Sequence, residues 1–155
     1  MSPMDENDEK ISQEMGLEGK YPPFIDMLGL EFEPLEGGDI CIKLALRDEL
    51  ALSFRGGVLN GAVISAMMDI IGGAVVTWRL KDEVKELSLE EQARRIGRVS
   101  TIDMRIDYLR PAKGKMFTAT GSVLRSGKGI AVTRMELHNE EQVLIAVGTG
   151  TYTVG

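Results

Sequence analysis

The sequence predicts an α+β domain in which a curved antiparallel sheet of about six strands wraps one long central helix. Three observations predict it. Residues 58–78 form a mostly apolar run too long for a strand. Period-two alternation precedes that run in residues 28–47 and follows it four times, in residues 101–108, 117–124, 130–137 and 143–154, with turn-forming residues between. Finally, 155 residues, 43% hydrophobic and 27% charged, make one domain whose core needs neither disulfide nor metal.

Taken in order, residues 1–20 form a polar extension and residues 21–155 the domain itself. Residues 1–8 are expected to fray, and residues 9–17 to make a short helix stopped by Gly19 and Pro22-Pro23. Leu28, Leu30 and Phe32 then alternate with Gly29, Glu31 and Glu33. Gly37-Gly38 turns the chain, and Ile40, Ile42, Leu44 and Leu46 alternate with Cys41, Lys43, Ala45 and Arg47. This reads as a hairpin with one buried face. A loop over residues 48–59 leads into the long helix.

The charged stretch 80–96 holds Ser88 three residues before Glu91, a capping-box spacing, and reads as an exposed helix outside the core. In the next strand Ile102, Met104, Ile106 and Tyr108 make one face, with Thr101, Asp103, Arg105 and Asp107 on the other. Residues 110–114, 126–129 and 138–140 supply the turns between the last four strands.

Charge and composition exclude several functions. A net charge of −6 speaks against a general nucleic-acid binder. Residues 1–50 hold 13 acids and 4 bases, whereas residues 98–134 hold 8 bases against Asp103 and Asp107. The second stretch, with Arg125 and Lys128, is either a basic rim for an anionic ligand or a set of solvated strand faces and turns. The acidic N-terminus lacks the apolar region of a signal peptide, so a cytoplasmic location is expected. Residues 58–78 imitate a membrane span, but Asp69 at the centre would cost roughly 2.5–3.5 kcal/mol in lipid. A buried helix is expected instead. Cys41 has no partner for a disulfide and reads as a strand residue. The single histidine, His138, falls in a predicted exposed turn, which leaves no histidine triad or histidine-rich metal site. No metal or cofactor is expected.

The chemistry concentrates on the long helix. Gly61, Ser65 and Asp69 stand at i, i+4 and i+8 and share one stripe of an otherwise apolar cylinder. A carboxylate there must face water, a substrate or a partner such as an arginine, because burying it unpaired is expensive. Asn60 is suited to cap the helix.

The run 60–69, Asn-Gly-Ala-Val-Ile-Ser-Ala-Met-Met-Asp, resembles the His-Gly-Gly-x-x-x-x-x-x-Asp segment of the PaaI-like hot-dog thioesterases. Residues 97–111 look like that family's third strand, and residues 134–152 are similar to the C-terminal part of its bacterial medium/long-chain acyl-CoA thioesterases. The resemblance implies a hot-dog fold and hydrolysis of acyl-CoA. It gives Asp69 the role of general base or nucleophile, the Gly61 N–H that of oxyanion donor and Thr101 that of orienting water. Phe54, Ile64, Met67, Met68 and Ile71 would line an acyl tunnel, Ser65 would face the substrate, and Arg125 and Lys128 would meet the CoA phosphates. Asn60 replaces the family's histidine, Ala62 its second glycine, and Phe54 an asparagine carried by some relatives. Asn60 can still donate a hydrogen bond but cannot titrate. A hot-dog dehydratase or hydratase and a non-catalytic acyl-CoA-binding dimer are the competing functions.

Those roles also imply a second copy of the chain. Eight helical residues rise about 12 Å, so Gly61 and Asp69 of one helix cannot reach the same thioester carbon. A two-fold homodimer, alone or doubled into a tetramer, would set Gly61 of one protomer near Asp69 of the other and pair the two copies of strand 101–108.

Overall fold

A computed structural model describes residues 5–14, 21–36, 39–52, 54 and 56–154. The elements run α1 (Glu6–Glu14), α2 (Pro23–Leu28), β1 (Glu31–Pro34), β2 (Ile40–Ala45), α3 (Gly61–Val84), α4 (Leu89–Ile96), β3 (Thr101–Tyr108), β4 (Met116–Ser126), β5 (Ile130–Asn139) and β6 (Leu144–Thr153). The six strands form one antiparallel sheet in the order β1-β2-β4-β5-β6-β3. Alternation puts the inner residues of β2 through β6 against α3, giving the wrapped-helix architecture that the sequence predicts. Ile64, Met67, Met68, Ile71 and Val75 pack on Ile42, Leu44, Phe117, Ala119, Met135, Leu137 and Ala146. By length and composition α3 qualifies as a membrane span, yet here its buried stripe is covered by the sheet.

Several boundaries differ from expectation for identifiable reasons. The first helix starts at Glu6, not at residue 9, because Asp5 and Asp8 cap each other's backbone N–H at 3.0 and 3.1 Å. The rest of the expected helix, and the Gly37-Gly38 turn, lie outside the described residues. Pro23 starts a helix instead of stopping one: it occupies the first turn of α2, and Gly29 closes that helix with φ +70°. Leu28 therefore ends a helix and does not open a strand. His138 lies within β5 rather than in a turn, and Asn139 closes the strand by accepting from the N–H of Glu141 and Val143.

The largest correction concerns the charged stretch after Trp78. α3 runs on to Val84, and α4 is not a bare insertion. Ile11 of α1, Leu80 and Val84 of α3, and Ala93 and Ile96 of α4 make a second apolar cluster. Lys81 pairs with Asp8 at 2.5 Å, with the Asp8 side chain only 9% exposed. Helical spacing had hidden these apolar residues among charges. Ser88 caps α4 as its spacing predicts, accepting from the Glu91 N–H at 3.3 Å.

β3 differs in a way that shapes the site. Thr101 pairs with Tyr152 and Met104 with Gly150, with a register shift between Thr101 and Asp103. That bulge rotates Thr101 onto the same face as Met104, Ile106 and Tyr108, the inner face, and leaves Ile102 exposed. Plain alternation had assigned Thr101 to the opposite face.

Candidate active site

Asn60 ends an extended segment and caps α3, its Oδ1 accepting from the Ala62 N–H at 2.9 Å. The first helical N–H, that of Gly61, meets no acceptor among the described residues and stands at the positive end of a 24-residue helix. Ser65, one turn on, donates to the Gly61 carbonyl at 3.1 Å and lies in hydrogen-bond contact with the Tyr108 hydroxyl. Tyr108 in turn donates to the Gly61 carbonyl at 3.3 Å. This end of the helix is open, with Tyr108 half exposed.

Two turns further along, Asp69 is held differently. Thr101 donates to its Oδ1 at 2.7 Å. The Tyr152 hydroxyl stands 3.3 Å from the same oxygen and 3.2 Å from the Asp69 main-chain carbonyl. Oδ2 has no hydrogen-bond partner among the described residues, and no arginine or lysine among them pairs with Asp69. The ion-pair alternative for this carboxylate is therefore absent among the described residues, and hydroxyl groups hold it instead. Tyr152 is 1% exposed. Burial above all, and then the charge of Asp69, push its phenol well above the ordinary tyrosine value of 10.0, so it stays a neutral donor.

The structure thus brings Asp69 and Thr101 together at one point and Asn60, Gly61 and Ser65 at another. It does not gather the expected acyl-binding residues. Met68 is fully buried against the sheet along with Met67 and Ile71, and all three side chains belong to the main core cluster. Phe54, in contrast, is 78% exposed in the loop before α3. Arg125 and Lys128 flank a shallow surface depression of about 460 Å³ at the β4–β5 turn. Sheet register puts that turn at the Asp69 end, because Ala131 pairs with Tyr152 and Tyr152 with Thr101. Cys41 is buried, and burial raises its thiol pKa, which fits packing rather than reactivity.

Residues 56–146 match the family model described as the thioesterase superfamily. The chain belongs to that superfamily. This hot-dog thioesterase chain is 40% identical to the medium/long-chain acyl-CoA thioesterase YigI of Escherichia coli strain K12 over 135 residues, 87% of each protein. Its fold superposes on a Shewanella oneidensis protein related to the thioesterase superfamily with a TM-score of 0.82 at 35% identity, covering all of both chains. The Escherichia coli PaaI protein shares the fold with a TM-score of 0.65 at 16% identity, over 96% of this chain and 95% of that one.

Sequence reasoning overlooked both tyrosines. A signal for Tyr152 was present in the glycines. Gly72 and Gly73 sit mid-helix, where glycine is unfavourable, and Gly150 sits mid-strand. A Cβ at Gly72 would collide with the Tyr152 hydroxyl, and one at Gly150 would lie 2.7 Å from the ring.

Proposed function

We propose that this thioesterase hydrolyses medium- to long-chain acyl-CoA, using Asp69 of one protomer and the Gly61 N–H of its partner. The observation that carries the reading is a carboxylate on an apolar helix, tethered through one oxygen, eight residues from a helix-start N–H; among the described residues neither its second oxygen nor that N–H has a partner. The identity to a relative named for medium/long-chain acyl-CoA supports the substrate class.

In this mechanism Asp69 Oδ2 takes a proton from water as its oxygen attacks the thioester carbon. The carbonyl oxygen becomes an oxyanion at the Gly61 N–H, where the helix dipole favours negative charge. Collapse of the tetrahedral adduct breaks the C–S bond, and the departing thiolate recovers the proton from Asp69. Free fatty acid and CoA leave, and the carboxylate is restored. Thr101 steadies the base, and Asn60 presents Gly61 by capping the helix. Ser65 borders the substrate's approach, Phe54 is exposed to meet an acyl chain, and Arg125 and Lys128 lie at the Asp69 end of the sheet to meet CoA phosphates.

The homodimer follows from the separation of about 12 Å along one helix. It is supported by β3, which ends the sheet and exposes Ile102 and Tyr108, with Leu109 exposed just after it. Pairing two copies of β3 would cover this edge. Residues 21–155 are the catalytic unit in this reading, and the setting is cytoplasmic. Single-turnover hydrolysis across a series of acyl-CoAs tests the assignment. Cleavage favouring medium and long chains is expected. Binding of every acyl-CoA without cleavage of any would replace the enzyme with a non-catalytic acyl-CoA-binding dimer.

A further inference from the structure

We infer that Tyr152 is a positioning residue for the reaction, its hydroxyl acting with Thr101 to fix one oxygen of Asp69 and so leave Oδ2 as the reacting atom. This rests on the catalytic reading of Asp69 above. Thr101 and Tyr152 are cross-strand partners of β3 and β6. Partners point to the same face of a sheet, so two hydroxyls on neighbouring strands converge on one carboxylate. Tyr152 also reaches the Asp69 main-chain carbonyl, a three-centre contact that ties the side chain to its own helical turn.

The space for this contact is built into the chain. Gly72 and Gly73 on α3 and Gly150 on β6 surround the ring, and any side chain at Gly72 would occupy the hydroxyl's position. The groups facing the phenol are Asp69 of α3, Thr133 of β5 and, across the ladder, Thr101 of β3. Asp69 is the charged one among them. A tyrosine serving only as core filler would require the ring and not the hydroxyl.

The two roles separate in one set of kinetics on a single acyl-CoA. Tyr152→Phe keeps the ring and removes one donor. We expect kcat to fall about tenfold, the worth of a hydrogen bond to a charged group, with KM within twofold. Site-specific 3-fluorotyrosine at position 152 keeps the ring, the hydroxyl and its contact with Asp69, and should hold kcat within about twofold of the parent. Parent kcat in Tyr152→Phe, or an equal loss of kcat in both variants, would overturn the positioning role. Asp69→Asn measured alongside distinguishes the deeper failure: if it cleaves as the parent does, the catalytic reading falls and this inference falls with it. If Asp69→Asn is inert while both tyrosine variants behave as the parent, Tyr152 alone is misassigned.

Discussion

The two ends of the polar stripe on α3 are built from the same chemistry and arranged to opposite effect. Each carries an aliphatic hydroxyl and a tyrosine, and β3 serves both, with Thr101 at one end and Tyr108 at the other. At the Asp69 end the tyrosine is 1% exposed, and the hydroxyls bind a charge. At the Gly61 end the tyrosine is 51% exposed, and the hydroxyls engage a main-chain carbonyl, leaving the Gly61 N–H without an acceptor among the described residues. Under the proposed mechanism the difference teaches that a base is useful when held still, whereas an oxyanion donor is useful when left vacant until charge develops.

The sharpest way to break this comparison is Asp69→Asn, which keeps the hydroxyl contacts and removes the base. Turnover should drop by ~10²–10⁴ with the melting temperature nearly unchanged. Activity within threefold of the parent would make Asp69 structural. The assignment of the two ends to different protomers is tested by mixing Asp69→Asn with Gly61→Val. Random exchange makes half the dimers mixed, each with one site intact, so about a quarter of parental activity should return. No recovery after confirmed exchange would place a whole site in each subunit.

Gly72→Ala probes the buried end by steric means. Helix propensity alone would stabilise it by about 1 kcal/mol. Collision with Tyr152 should reverse that sign, at a cost of about 1–3 kcal/mol for overpacking, read in thermal unfolding. At the open end, Asn60→Ala should lose about 1 kcal/mol as a missing cap, whereas Asn60→His should retain or raise activity because the Gly61 N–H is untouched. A well-folded but inert Asn60→His dimer would refute the role given to this position.

The smallest effect concerns alkaline stability. The folded chain raises the Tyr152 phenol, so it holds that proton more tightly than the unfolded chain does. The contribution is complete below the ordinary value of 10.0 and is lost as pH rises beyond it. Denaturation midpoints of the parent should fall above pH 10 more steeply than those of Tyr152→Phe.

What the sequence disclosed follows from the range over which its signals act. Asn60, Gly61, Ser65 and Asp69 were legible because one helix sets their spacing, and every strand of the sheet announced itself by alternation. Tyr152 lies 83 residues from Asp69, and strand alternation carries no information on which strands become neighbours. Thr101 is legible as a functional candidate, but plain alternation puts it on the wrong face, because a single bulge inverts the parity of the strand. The apolar face of α4 is obscured by its charges, and buried methionines on a core helix have the same sequence pattern whether they pack or line a cavity.

The docking of α1 has a consequence for the order of events at synthesis. Ile11 finds its place against residues as distant as Ile96. At translation speeds of roughly 5–20 residues per second, it waits about 4–17 seconds for that partner to be made. During the delay α1 exposes Ile11 as the single apolar side chain among nine residues, too little to recruit another nascent chain. A segment made before the partner it packs on is best kept polar around one apolar pin, and α1, with Ile11 among charged and polar residues, is composed that way.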